Sequence, residues 1–462
     1  MFDGFPMNFR SLVPSVACGF ALLLGSASQA ATDSIDLTPI ASEKTQHVKV
    51  VYEATGKLFS QQAGDKKPQE HPLKAIGNFL YEERVLDHKS GRSIRYFELA
   101  ESDFEVDGRA NSSRIRDDLR WIVVDPNELE DMYVCPTGAL SRQELDLVEF
   151  PGASGLIDRL LPESEQEVDG TWKHDDTLLA LIFNLDAVTV NDVESKLVKV
   201  EDDTAYITIS GSMVGAIKGV VTEIKLNGKY NFDVQSSTIN WVAFGIEEQR
   251  EIGASTPGLN VKARLRMVRG AAEPPKFVHE QSISQFELNN APGALLEHRV
   301  ESAGYAIVHH RRWHVFSQRP TLTVLRCVDD GRMIAQCNIS SLPPINQKKP
   351  LTMHKFQQDI SMALGESVTQ IVDSKESTNS KGQKVLRVVA AGTVGEAPIL
   401  WIYYHITHTD GRRVSCVFTM GATDAEQFGG EDLALTGSLR FLDRPAEEPL
   451  DDSTAALDET VR

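Results

Sequence analysis

The strongest constraint in this sequence is a two-residue period that runs through neighbouring segments between residues 220 and 270. In EIKLNGKYNFD, Ile224, Leu226, Tyr230 and Phe232 alternate with Lys225, Asn227, Lys229 and Asn231. Successive side chains of a strand point to opposite faces, so this spacing predicts one buried and one wetted face. NVKARLRMVRG repeats the pattern, with Val261, Ala263, Leu265 and Met267 set against Lys262, Arg264 and Arg266. TAYITISGSMVGAI upstream and TINWVAFGIEEQ between the two read as strands as well. Long antiparallel strands commonly keep one face solvated. Residues 48–270 are therefore expected to form a curved antiparallel β-sheet domain. Its few helices fall in the apolar runs ASGLIDRLLPE (153–163) and DDTLLALIFNL (175–185).

Pro274, Pro275 and Pro292 punctuate residues 271–298, which read as a linker. A second unit spans 299–442. Its best helix is TMHKFQQDISMALG, with Thr352 as N-cap, Met353, Phe356, Ile360 and Ala363/Leu364 on one stripe, and Gly365 as the stop. PILWIYYHIT and RVSCVFTM flank Asp410-Gly411, a strong hairpin signal. A closing helix is expected across AEQFGGEDLALTGSL. The tail, 443–462, is acidic and reads as disordered.

The N-terminus predicts export. Arg10, the short apolar run VACGFALLL and Ser28-Gln29-Ala30 have the layout of a signal peptide over residues 1–30, followed by a polar lead-in at 31–47. No later stretch is apolar and long enough to span a bilayer, so no transmembrane segment is expected after cleavage. A net charge of −19 argues against a nucleic-acid partner. The 41% hydrophobic and 24% charged composition is that of an ordinary globular chain.

The segments GYAIVHHRRWHV, TMHKFQQDISMALG, RVVAAGTVGEAPILWIYYHITHTDGRRVSCVFTM and LALTGSLRF, in that order, resemble the PsbP-like α/β/α sandwich. The resemblance covers residues 299–442. It implies a strand leading to a corner that ends in Trp313, then a hairpin, a helix, a central antiparallel sheet and a closing helix. PsbP-like domains are generally non-catalytic assembly or binding modules. With its first unit, the chain also looks like exported planctomycete-type proteins to which no chemistry is assigned. The fold class expected is thus α+β, an N-terminal sheet domain beside a C-terminal PsbP-like sandwich.

Four constellations could carry function. His309, His310 and His314 in VHHRRWHV invite a metal, because His310 and His314 would share a helix face. The segment alternates like strands around a corner, however, and Arg311 and Arg312 oppose a cation. The expected arrangement is a corner with Trp313 as core anchor and both arginines solvated. Lys225, Lys229, Lys262, Arg264 and Arg266 could receive an anionic ligand, or form a solvated face offset by cross-strand acids.

The cysteines and one histidine supply the other two. A two-residue turn at Asp330-Gly331 pairs Cys327 with Ile334 and sets Cys327 and Cys337 on opposite faces. A bulged three-residue turn would change that parity. Either buried thiols or a Cys337–Cys416 bridge is expected, and Cys135 completes the set. A two-residue turn at Asp410-Gly411 would place His405 opposite Cys416, a pair better read as core than as a nucleophile.

No GxSxG, HExxH, CxxC, P-loop or GxGxxG motif occurs. The sequence therefore predicts a non-enzymatic binding or scaffold protein of the periplasm or cell envelope, with no cofactor. Its partner would be an envelope protein, a lipid or a glycan. One alternative is a lipid or lipoprotein carrier with a cavity lined by Ile224, Leu226, Tyr230 and Phe232. Another is a hydrolase, which needs convergent polar groups with shifted pKa in an inter-domain cleft.

Overall fold

The computed structural model describes residues 34–40, 44–61, 67–128, 132–253, 256–288, 294–329, 331–345 and 350–443. The proposed signal peptide, Pro292 and nearly all of the acidic tail lie outside them.

The period-two segments form the centre of a 13-stranded antiparallel sheet. Val220–Asp233 pairs with Thr204–Ile217 on one side and Thr238–Arg250 on the other. Thr238–Arg250 continues to Gly258–Ala271, which pairs along its whole length with the first strand, Gln46–Ser60. Gln69–Asp87 and Arg92–Val106 extend the sheet beyond that strand. In Val220–Asp233 the side chains from Val220 to Tyr230 alternate strictly between buried and exposed, as the sequence requires.

One end of the inner face is filled. Val48, Val50, Phe79, Tyr81, Tyr230 and Phe232 pack under the helices Arg142–Val148 and Asp176–Phe183 and the 3-10 turn Ile157–Leu160. Among these apolar groups lies one buried ion pair. Arg95 Nε donates to Glu83 Oε1 at 2.7 Å, and Ser93 Oγ donates to the same oxygen at 2.8 Å. Glu82 accepts the backbone N–H groups of Lys276, Phe277 and Val278 at 2.7–2.8 Å, which fastens the segment after the last long strand to the sheet.

The C-terminal residues form a seven-stranded antiparallel sheet and a small three-stranded one. Helix Met353–Leu364 sets Phe356 and Ile360 on Leu386, Val388, Ala390 and Trp401. The opposite face receives Phe428, Leu435 and Leu439. The two units meet where Glu297 N donates to Leu140 O at 2.8 Å and Arg116 pairs with Glu297 at 3.1 Å.

The α+β class does not hold. Among the described residues strand accounts for 56% and helix for 16%, so they are mostly β, with three antiparallel sheets and few helices. Local reasons are visible in the helices themselves. Gly429 and Gly430 both take left-handed conformations, at φ 62° and 79°, and cut the closing helix into Ala425–Phe428 and Glu431–Ser438. The helix expected at 153–163 is a single 3-10 turn. The helix Thr352 was expected to cap does form, and Thr352 Oγ1 accepts Lys355 N at 3.3 Å.

Candidate functional site

The inner face of the large sheet is hollow at the end opposite the packed core. There the inward positions are small: Ala54 sits between Ala75 and Ala263, and Tyr52 faces Gly77. Across from them stand Leu145, Phe150, Leu181, Phe183 and Ile217, and the C-terminal unit closes one side. The cleft between has a volume of about 1130 Å³. That matches or exceeds the roughly 300–1,000 Å³ of small-molecule sites. Small side chains lie low on a pleated surface, so a row of Ala and Gly leaves space wherever no facing element descends.

The floor is apolar apart from Glu248 and Arg250, which pair with each other at 2.5 Å. Polar groups gather at the boundary with the C-terminal unit: Arg142, Asp146, Glu149, Lys218, Arg311 and His314. Burial holds the His314 imidazole down at about 3, helped by Arg142 and Lys218. The Glu149 carboxyl is raised, by burial first and then by Asp146, against the pull of Lys218, Arg311 and Arg142. Displaced titrations of opposite kind thus share one cleft.

VHHRRWHV is the corner that closes this cleft. Tyr305–His309 ends one strand, Trp313 N donates back to His310 O at 3.1 Å, and Trp313–Arg319 begins the next. Trp313 is fully buried, with its Nε1–H on Glu431 Oε2 at 2.8 Å and its ring edge-on to Phe418 and Phe428. The arginines are not solvated as expected. Arg311 is buried: its Nε donates to Ala294 O at 2.8 Å, its Nη2 to Tyr133 O, and its Nη1 lies 3.9 Å from Glu149. Arg312 is largely withdrawn from solvent against Glu431 at 2.8 Å. A guanidinium with five donors satisfies several carbonyls at once, which makes Arg311 a rivet between the units.

The three histidines serve different neighbours. His310 and His314 line the cleft, whereas His309 does not and is turned toward the His310 carbonyl, 2.9 Å from Nδ1. Burial lowers His309 to about 4. Among the described residues no group of three or more His, Cys, Asp or Glu is placed to hold a metal ion.

The basic stripe lies on the outer face of the same sheet. Lys262 pairs with Glu247 at 2.6 Å and Arg266 with Glu53 at 3.4 Å. Lys225, Lys262 and Arg264 share a shallow depression of about 670 Å³ with Glu53 and Glu247, while Lys229 and Arg266 flank Ala243 one row away. Cross-strand acids are interleaved with the bases.

Ile224, Leu226, Tyr230 and Phe232 do not line a cavity of the carrier kind. They belong to the packed core and, apart from Leu226, which also borders the shallow outer depression, none of them lines a pocket; none lines the cleft, although Ile224 pairs directly with the floor residue Glu248. The thiol registers also differ from expectation. A bulge between Cys327 and Val328 shifts Cys327 opposite Ala335 and Leu325 opposite Cys337, which puts Cys327 and Cys337 on one face. Thr407 pairs with Arg413 across a five-residue loop, so Cys416 faces Tyr404 and His405 faces Ser415. His405 and Cys416 therefore point to opposite sides. Cys135, Cys327, Cys337 and Cys416 are buried free thiols, and burial lifts Cys327 and Cys416 to about 12.

The cleft-lining groups in 142–149, 218 and 248–250 carried no sequence motif. The inward Ala54, Ala75 and Gly77 were the available signal, since small residues at inward strand positions mark thin places in a core.

No family model matches the chain, and no curated protein matches it. Among solved structures, the cyanobacterial PsbP protein CyanoP from Synechocystis sp. PCC 6803 is 15% identical, with a TM-score of 0.25. The match spans 32% of this chain and 92% of that one. A lipovitellin structure, concerned by its title with lipid–protein interactions, is 8% identical over 53% of this chain and 26% of its own length, with a TM-score of 0.29. Among the described residues no helix is long and apolar enough to cross a membrane.

Proposed function

We propose that this protein is a binding protein that takes an elongated, largely apolar molecule of the lipid class into the cleft between its large sheet and its C-terminal unit. The observation that carries this reading is the hollow of about 1130 Å³, floored by Ala54, Ala75, Gly77 and Tyr52, with a cluster of charged groups at its boundary with the C-terminal unit. An apolar chain on that floor would leave water while its polar end stayed at the edge, at about 25 cal/mol per Å² of apolar surface removed. Export by residues 1–30 would place the binder in the periplasm or cell envelope. The N-terminus of the mature chain, expected to follow Ala30, checks this.

The test is a titration of delipidated protein with a fluorescent fatty-acid analogue, wild type against Ala75→Trp. The indole would occupy the floor, and binding should weaken by about tenfold or more, equivalent to about 1.4 kcal/mol. Unchanged binding in a folded Ala75→Trp variant overturns the reading.

A second reading is favoured by one observation, the raised Glu149 and lowered His314 in the same cleft. Groups displaced in this way often divide acid and base roles. If the protein is a hydrolase, an ester of the bound amphiphile should turn over and Glu149→Gln should abolish it. Absence of turnover leaves the binding reading alone.

A further inference from the structure

We infer that the polar end of the bound molecule is an anion, a carboxylate or a phosphate, seated beside Arg142 and Lys218 at the edge of the cleft; this rests on the binding reading above. The argument is one of unspent donors. Most polar groups lining the cleft already have partners. Arg311 is committed to the Ala294 and Tyr133 carbonyls, and Arg312 to Glu431. Glu248 holds Arg250, Asp186 accepts Gly219 N at 2.8 Å, and Asp329 accepts Gln427 Nε2 at 2.7 Å.

Arg142 differs. Its Nη2 donates to the Arg311 carbonyl at 2.6 Å, but its Nε–H is shielded from solvent and has no hydrogen-bond partner. Buried donors are nearly always satisfied, so an acceptor is wanted at that point. Lys218, on the turn between Thr204–Ile217 and Val220–Asp233, forms no hydrogen bond or ion pair with a described residue. Its backbone is left-handed, at φ 51°, in the turn beside Gly219, whose carbonyl oxygen would lie 3.4 Å from a Cβ on Gly331. Arg142, Lys218, Glu149 and His314 all line the same cleft.

The neighbouring acids are Asp146, Glu149 and Asp186, the last already accepting Gly219 N–H. Burial, then Asp146, raises the Glu149 carboxyl above its ordinary value, against the pull of Lys218, Arg311 and Arg142; as an acid in the same cleft it competes with an anionic head for the two cations. A guanidinium and an ammonium side by side, at the polar end of an apolar cleft, match the head of a single-chain anionic amphiphile.

The test uses the full-length protein, delipidated, and three probes with one acyl chain each: oleate, lysophosphatidate and neutral monoolein. Displacement of a fluorescent probe at neutral pH should show the anionic ligands binding about tenfold more tightly than monoolein. Raising the salt concentration should narrow that gap. Lys218→Gln, which removes no described contact, should weaken the anionic probes several-fold and leave monoolein unchanged. Glu149→Gln should strengthen the anionic probes alone. Preference between oleate and lysophosphatidate identifies which anion the site takes. Equal affinity for all three probes, or a Lys218→Gln loss shared by monoolein, overturns the inference while the cleft reading stands. Failure of all three to bind overturns both.

Discussion

Arg311 shows how much one side chain can decide. Its guanidinium is buried, yet its partners are mainly backbone carbonyls on segments far apart in sequence. Removing it would leave those carbonyls unsatisfied at the seam between units. Arg311→Ala should therefore cost about 2–4 kcal/mol, read as a lower urea midpoint. Buried histidines set a second property at this scale. His174, His309 and His405 are held at about 4 and His314 at about 3, in each case by burial first. The unfolded chain binds protons near the ordinary histidine value of about 6.5. Over the window from there down to about 4, the unfolded state holds more protons than the folded one. Stability should rise with pH across that window and fall as acid is added. Urea midpoints measured from neutral pH down to about pH 4 check this, and a flat profile would contradict it. Glu83 acts in the same direction at lower pH. Burial pushes its carboxyl up, but Arg95 and the Ser154 and Ser93 hydroxyls outweigh that and hold it below its ordinary value. Its contribution is present above the unfolded carboxylate value and is lost as pH falls below it.

At the scale of elements, parity governs what faces what. A five-residue loop in place of two residues puts Cys416 against Tyr404 and turns His405 toward the helix Met353–Leu364, with Phe356 5.9 Å away. One bulge does the same to Cys327. Shifting register by a single residue moves a side chain to the other face, so loop chemistry fixes thiol surroundings more strongly than strand composition does. Because burial raises all four thiols, Cys135, Cys327, Cys337 and Cys416 should resist alkylation at neutral pH in the native protein and react promptly in denaturant. Mass-spectrometric counting of labelled cysteines checks this. On the outer sheet face, charge pairs such as Lys262–Glu247 are exposed. Exposed pairs are worth about 0–1 kcal/mol. Lys262→Gln should accordingly change the urea midpoint little.

For the whole molecule, the decisive arrangement is that one sheet serves two purposes. Its Val48, Val50, Tyr81 and Tyr230 end is packed solid, and its Ala54, Ala75 and Gly77 end is left for something else to cover. The C-terminal unit supplies one wall of that space through the VHHRRWHV corner, and the turn at Lys218–Gly219 meets the turn at Gly331. Much of this architecture was legible beforehand. The long strands, their inward and outward faces, Trp313 as an anchor and the helix capped by Thr352 follow from spacings of two and 3.6 residues, which act over a few neighbours. The same reading overestimated helix: the run at 153–163 forms only a 3-10 turn, and Gly429 and Gly430 split the run near 425–439 into two short helices. It also placed the cavity on Ile224, Leu226, Tyr230 and Phe232, which are inward-facing but covered. Sequence by itself determined which side chains turn inward, because pleating alternates them whatever lies opposite. Only the tertiary structure decided which inward positions are filled, where Arg311 ends, and that Arg142, Lys218, Glu149 and His314 meet. Those outcomes depend on contacts between segments far apart in the chain, such as Arg311 with Tyr133, 178 positions away, and no local period encodes such contacts.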